Sequence, residues 1–227
     1  MLALVTGGDR GIGFSIAGKL VENGYEVIIA ATDKRKLEAA KKSLAKKGKA
    51  SAFRCDVTDR KQIKKLVKDV GRLGSVDLLV NNAGVAYRKE VLENRDDEID
   101  EMIDVNFRGL VDCTKAFLPG MVERKKGVII NISSGAGKSG IPGLAVYCGT
   151  KFAVIGFTEA LAGEVEGDGV RVYAICPGAT ETDMWHELYP GSEANYVPED
   201  VAIEVMELLK DVERIEPGRA IDVRKHV

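Results

Sequence analysis

Histidine is scarce in these 227 residues: His186 and His226 are the only two, and neither stands near a cysteine cluster. A zinc centre gathers three or four nitrogen, sulfur or carboxylate ligands, so no metal site is expected. Four cysteines (Cys55, Cys113, Cys148 and Cys176) are widely spaced, without a CxxC pair. That spacing argues against a disulfide framework and predicts reduced thiols in a cytoplasmic protein. Long apolar runs are missing as well. The apolar start, Met1 to Val5, breaks at Thr6-Gly7-Gly8, too soon for a signal peptide or a membrane span. No excess of charge stands out, since the net charge is −2. Nothing therefore suggests nucleic acid or an anionic membrane as a partner. No linker, repeat or low-complexity segment interrupts the chain, which predicts a single domain over 1–227.

What is present is a soluble composition, 45% hydrophobic and 30% charged. A domain of this length buries roughly 70–75% of its unfolded surface and needs no staples. Short apolar runs ending in glycine or asparagine alternate with segments of helical period. Leu2 to Val5, Tyr25 to Ala31, Ala50 to Cys55, Val76 to Val80, Gly127 to Ile132, Val170 to Ile175 and Arg219 to Val223 read as strands. Between them, helical periods predict helices, including a continuous one over 97–118 that encloses Asn106 and one from Pro198 to about Lys210. Residues 179–197 read as a loop with short helical turns, 183–197 of it a short substrate loop. The alternation predicts a three-layer, Rossmann-like, doubly wound parallel sheet of about seven strands, with helices on both faces.

Two stretches carry chemistry. Thr6 to Gly13 (TGGDRGIG) joins a buried strand to a helix. Backbone N–H groups and the helix N-terminus there suit a phosphate, and glycine lets it approach closely. Its spacing is GxxxGxG rather than GxGxxG. At the other end, Tyr147 and Lys151 are four apart in a helical segment, which places a phenol beside an ammonium. A cation within about 4–6 Å lowers a phenol's pKa by roughly one to three units, toward general acid/base range. The run Gly135 to Ser139 (GAGKS) looks like the end of a triphosphate loop. Ile132 stands where that motif needs glycine, and Gly140 and Pro142 follow instead of a helix. Asp33 fits both an N-cap and an acidic partner for a ribose, while Lys34, Arg35 and Lys36 place cations in a first helical turn.

Taken in order, TGGDRGIG at 6–13, CDVTD at 55–59, NNAG at 81–84, VNFRG at 105–109, NISS at 131–134, YCGTK at 147–151 and PGATET at 177–182 resemble the single-domain short-chain dehydrogenases/reductases along nearly the whole chain. The resemblance implies an oxidoreductase moving hydride between a nicotinamide dinucleotide and a carbonyl or secondary alcohol. Tyr147 would be the general acid/base, and Lys151 would lower its pKa and bind ribose. Ser134, rather than Ser133, would bond the substrate oxygen, and Asn106 would hold a proton-relay water. Gly7, Asp9, Arg10, Gly11, Ile12 and Gly13 would form the pyrophosphate turn. Thr32, Asp56, Val57, Asn82, Ala83 and Gly84 would line the adenosine side, and Pro177, Gly178, Thr180 and Thr182 the nicotinamide. Ala31 stands where an acidic residue marks NAD-preferring members, and Arg10 supplies a cation in the glycine turn. NADP(H) is therefore favoured over NAD(H), with Asp33 as the opposing charge. The same resemblance implies a homodimer or homotetramer. Rival readings are a non-catalytic NAD(P)-binding sensor or scaffold, and an epimerase or dehydratase that retains its nicotinamide. Trp185, Tyr189 and Tyr196 either line a small apolar pocket or pack their loop down.

Overall fold

The computed structural model describes residues 1–226; Val227, the last residue of the expected domain, lies outside the described residues. One parallel sheet runs in the order β3-β2-β1-β4-β5-β6-β7. Its strands are β1 (Leu2–Thr6), β2 (Glu26–Ala31), β3 (Ala50–Arg54), β4 (Val76–Asn81), β5 (Gly127–Ile132), β6 (Val170–Cys176) and β7 (Ala220–Asp222). Every residue of β1 is buried, as expected of a central strand with helices over both faces.

On one face α1 (Gly11–Glu22), α2 (Lys34–Leu44) and α8 (Pro198–Lys210) pack against the sheet. Ile16 and Leu20 of α1 share that core with Leu37 and Leu44 of α2 and with Val201 and Val205 of α8. On the other face lie α3 (Arg60–Val70), α5 (Gly109–Glu123) and α6 (Ala145–Glu164), contributing Ile63 and Leu66, Phe117 and Met121, and Leu161. From β1 the chain runs outward to β2 and β3, then returns to β4 on the other side of β1. That reversal opens a crevice beyond the carboxyl ends of the central strands.

The helix expected over 97–118 is not continuous. It consists of α4 (Asp96–Ile103), a π turn (Asp104–Arg108) and then α5. The Gly109 N–H reaches back five residues to the Asp104 carbonyl. The wider turn rotates the polar Asn106 inward, where it is 1% exposed. An apolar period cannot reveal this, because the residue turned inward is an amide. Gly109 is required at the join: a Cβ there would lie 2.7 Å from Val57 Cγ2.

Residues 183–197 hold one of the short helical turns expected in the loop. They contain α7 (Asp183–Leu188), capped by Thr182 Oγ1, which accepts from the Trp185 N–H at 3.2 Å. Asp33 acts as the N-cap of α2, its Oδ1 accepting from the Arg35 and Lys36 N–H groups at 2.8 and 3.1 Å. Within the GAGKS run, Gly135–Gly137 forms a single turn of 3₁₀ helix. Lys138 Nζ then donates to the Ala220 carbonyl at 3.0 Å and to Asp222 Oδ1 at 2.7 Å. That lysine anchors β7 instead of holding a phosphate.

Candidate active site

A cleft of about 1070 Å³ opens at the switch between β1 and β4. Its first wall is the glycine turn, fixed by a small set of polar contacts. Thr6 Oγ1 accepts from the Asn82 and Ala83 N–H groups at 3.0 and 3.1 Å. Asn82 Nδ2 donates to the Thr6 and Gly7 carbonyls, both at 3.0 Å. The turn is thus tied to the end of β4, and Thr6 is a positioning residue that sequence reasoning passed over within the motif. A Cβ on Gly13 would stand 2.2 Å from the Gly7 carbonyl oxygen and 2.4 Å from Asn82 Nδ2. Gly13 therefore lets helix and turn meet and does not itself line the cleft, unlike Gly7, Asp9, Arg10, Gly11 and Ile12.

The start of α1 has no side-chain cap and no acidic residue in its first turn. Its leading N–H groups thus have no side-chain acceptor of their own. An anion such as a pyrophosphate suits that position. At the adjoining end Thr32, Asp33, Lys36, Asp56 and Val57 line the cleft. Asp56 Oδ1 accepts from the Thr58 N–H at 2.9 Å and from the Thr58 hydroxyl at 2.7 Å. The donor set, the glycine-built approach and the size of the cleft together fit a dinucleotide.

Tyr147, Lys151 and Ser134 meet at the opposite end of the same cleft. Tyr147 and Lys151 lie one turn apart on α6, and Lys151 Nζ is 5.7 Å from the centre of the Tyr147 ring. Ser134 follows β5 with its Oγ accepting from the Ala136 N–H at 3.1 Å, and its hydroxyl lies near enough to the Tyr147 phenol to favour the charged form. Ser133 points elsewhere, into the protein, where its buried Oγ donates to the Lys151 carbonyl at 2.9 Å.

The expected depression of the Tyr147 pKa by Lys151 is not found. Burial pushes the phenol up to about 12, against the opposing influence of the Ser134 hydroxyl. Lys151 is 4% exposed, and loss of water around its ammonium draws its pKa down to about 8. Its Nζ donates to the Ile132 carbonyl at 2.9 Å and not to the phenol. With the amine aimed at a carbonyl, desolvation governs the Tyr147 hydroxyl.

The Asn106 side chain is engaged by protein groups. Its Nδ2 donates to the Val85 carbonyl at 2.8 Å and to Thr150 Oγ1 at 3.1 Å. Its Oδ1 accepts from the Val85 N–H at 2.8 Å. Both amide hydrogens are thus taken by protein acceptors, and the side chain does not line the cleft. It pins the loop after β4 to α6. A Cβ on Gly84 would lie 3.4 Å from Asn106 Oδ1 and 3.7 Å from Lys151 Nζ, so Gly84 closes the gap between them.

Ala83, Gly84, Pro177, Gly178, Thr180 and Thr182 complete the walls. Beyond Tyr147 the cleft turns apolar, with Val85, Ile141, Leu144, Met184, Trp185 and Leu188 around it. The three aromatics of the loop divide. Trp185 and Tyr189 stack at 4.4 Å on the cleft wall, with the Arg88 guanidinium 4.4 Å from the Tyr189 ring centre. Tyr196 packs against Gly178, where a Cβ would meet its ring at 2.8 Å. Ile141, Leu144, Met184 and Leu188 went unread in the sequence because they stand in irregular or very short elements without a period.

The family model for short chain dehydrogenases matches residues 1–193. The chain belongs to that family. As a short chain dehydrogenase it is an oxidoreductase, and its relatives include reductases. A 3-oxoacyl-[acyl-carrier-protein] reductase FabG of Staphylococcus aureus is 41% identical over 185 residues, 80% of this chain and 75% of that protein. Glycine betaine reductase ATRR of Emericella nidulans is 37% identical over 229 residues, covering 94% of this chain and 18% of that much longer one. Among solved structures, a variant of actinorhodin polyketide ketoreductase with NADPH superposes with a TM-score of 0.92 at 32% identity, covering 98% of this chain and 95% of that one. Levodione reductase gives a TM-score of 0.91 at 26% identity, with 97% and 95% covered. These folds are shared from end to end, as the sheet order and the crevice at its switch point require.

Proposed function

We propose that the chain reduces an apolar ketone or 3-oxoacyl thioester with NADPH. The observation that carries this reading is the convergence of Ser134, Tyr147 and Lys151 on one end of a cleft whose other end suits a dinucleotide phosphate. When bound, the nicotinamide supplies the hydride. The protein holds the carbonyl oxygen between the Ser134 hydroxyl and the Tyr147 phenol, polarising it. Because burial keeps Tyr147 protonated at neutral pH, it is poised to give its proton to the developing alkoxide. Lys151, still largely cationic at pH 7 with a pKa of about 8, holds the Ile132 carbonyl beside the Tyr147 ring and so fixes the end of β5 against α6. Asn106, through Val85 and Thr150, keeps that end of the cleft in register.

Arg10 and Lys36 bring positive charge to the cleft and favour the 2′-phosphorylated cofactor. Asp33 opposes them only in part, since one of its oxygens is engaged in capping α2. The mouth lined by Ile141, Leu144, Met184 and Trp185 favours an uncharged, hydrophobic substrate over a sugar.

The outer face of α6 supports a homo-oligomer. Phe152 is 46% exposed there, and nothing lies within 4 Å of a Cβ placed on Gly149, Gly156 or Gly163. The four cysteines are free and buried, which supports a reducing, cytoplasmic setting. Among the described residues no helix is long and apolar enough to cross a membrane.

The test is a panel of cyclic and aryl ketones, sugars and 3-oxoacyl thioesters, followed by consumption of NADPH and of NADH. Turnover of the apolar members with higher kcat/KM for NADPH is expected. Preference for NADH, or activity confined to sugars, would overturn the reading.

A further inference from the structure

Arg10 stands where the glycine turn enters α1, and its Nη1 donates to Asp183 Oδ2 at 2.9 Å. Asp183 is the first residue of α7, the element that carries Trp185. The residues beside the pair repeat the contact, since a Cβ on Gly11 would come within 3.4 Å of Thr182 Cγ2. The phosphate-cradling turn and the substrate wall are therefore tied across the cleft. Both partners line that cleft, together with Thr32 and Lys36 at its adenosine end. Their side chains are 47% and 64% exposed, so water can separate them easily. Among the described residues, Asp183 is the acidic group that holds this guanidinium.

We propose that Asp183 sets the strength of the preference for the 2′-phosphorylated cofactor by competing with the 2′-phosphate for Arg10. This rests on the reading of Arg10 as a partner of that phosphate. A phosphate monoester carries close to two negative charges at neutral pH and a carboxylate carries one. The guanidinium therefore transfers to the phosphate when it arrives, and part of the binding strength goes into parting the ion pair. A ribose with a free 2′-hydroxyl makes no such claim on Arg10, so Asp183 leaves its affinity unchanged. Once Arg10 has moved, α7 loses its tie to the glycine turn, and phosphate recognition at one end of the cleft loosens the substrate wall at the other.

The experiment is equilibrium titration of the whole protein with NADPH and with NADH, read by the fluorescence of Trp185, the single tryptophan in the chain. Four forms are compared: wild type, Asp183→Asn, Arg10→Leu and the double variant. Exposed ion pairs of this kind correspond to a factor of roughly 1.5 to 5 in an equilibrium. Asp183→Asn is therefore expected to tighten NADPH by about two- to fivefold and to leave NADH unchanged. Arg10→Leu is expected to weaken NADPH selectively, and adding Asp183→Asn to it should give no further gain. If Asp183→Asn weakens NADPH, tightens both cofactors alike, or gives the same gain without Arg10, the competition is refuted. If Arg10→Leu leaves the NADPH preference intact, the underlying reading of Arg10 fails instead. A loss in Arg10→Leu with no gain in Asp183→Asn overturns the competition alone.

Discussion

Lys151 is an amine kept in a place that resists its charge. It is 4% exposed, and its Nζ meets the Ile132 carbonyl at 2.9 Å. Burial draws its pKa from 10.5 down to about 8. The unfolded chain therefore holds this proton more tightly than the folded one between those two values. Stability gained from the group is absent below pH 8 and appears as pH rises toward 10.5. Relative to Lys151→Met, wild type should gain about 1 kcal/mol per pH unit between 8 and 10, read from urea unfolding at each pH. Tyr147, pushed from 10.0 up to about 12, begins to lose its proton in that window only in the unfolded chain, a contribution shared by both proteins that cancels in the difference. A difference that stays flat, or falls with pH, would mean the amine is solvated. The Tyr147–Lys151 spacing was legible in the sequence because four residues fix a helical face. The direction of the ammonium was not, since it depends on a carbonyl of β5 that only the folded sheet brings near.

At the scale of elements, the glycine turn works because of what presses against it. Gly13 admits no side chain: the Gly7 carbonyl oxygen would lie 2.2 Å from a Cβ. Gly13→Ala is expected to lose about 2–3 kcal/mol in denaturant unfolding and to bind dinucleotide poorly, because the turn and α1 must separate. An unchanged unfolding midpoint would contradict this packing. Strand and helix order could be read from the alternation of apolar runs and helical periods, and the start of α8 from Pro198. The π turn could not. Asn106 turns inward through one backbone bond to Asp104, and nothing in the spacing of Ile99, Met102, Ile103 and Leu110 records it. Short helical turns are legible in the composition of 179–197, but the six residues of α7 are too few to display a period that would place it.

For the whole molecule, the sheet order places every proposed contact on one edge, with the phosphate cradle and the acid/base group at two ends of a single cleft. The surface proposed for a second copy follows α6. Phe152 is 46% exposed beside three glycines that leave room for a close neighbour. Phe152→Glu should therefore shift the protein toward monomer in light scattering at micromolar concentration, since a buried unpaired charge opposes association. An unchanged mass would place the self-contact elsewhere. That expectation concerns assembly, whereas the central claim concerns a proton. It is tested most directly by Tyr147→Phe, with cofactor affinity and single-turnover ketone reduction measured on the same preparation. The account predicts a dissociation constant for NADPH within about twofold of wild type and a turnover reduced by roughly 10²–10⁴. Turnover close to wild type with cofactor still bound would contradict it.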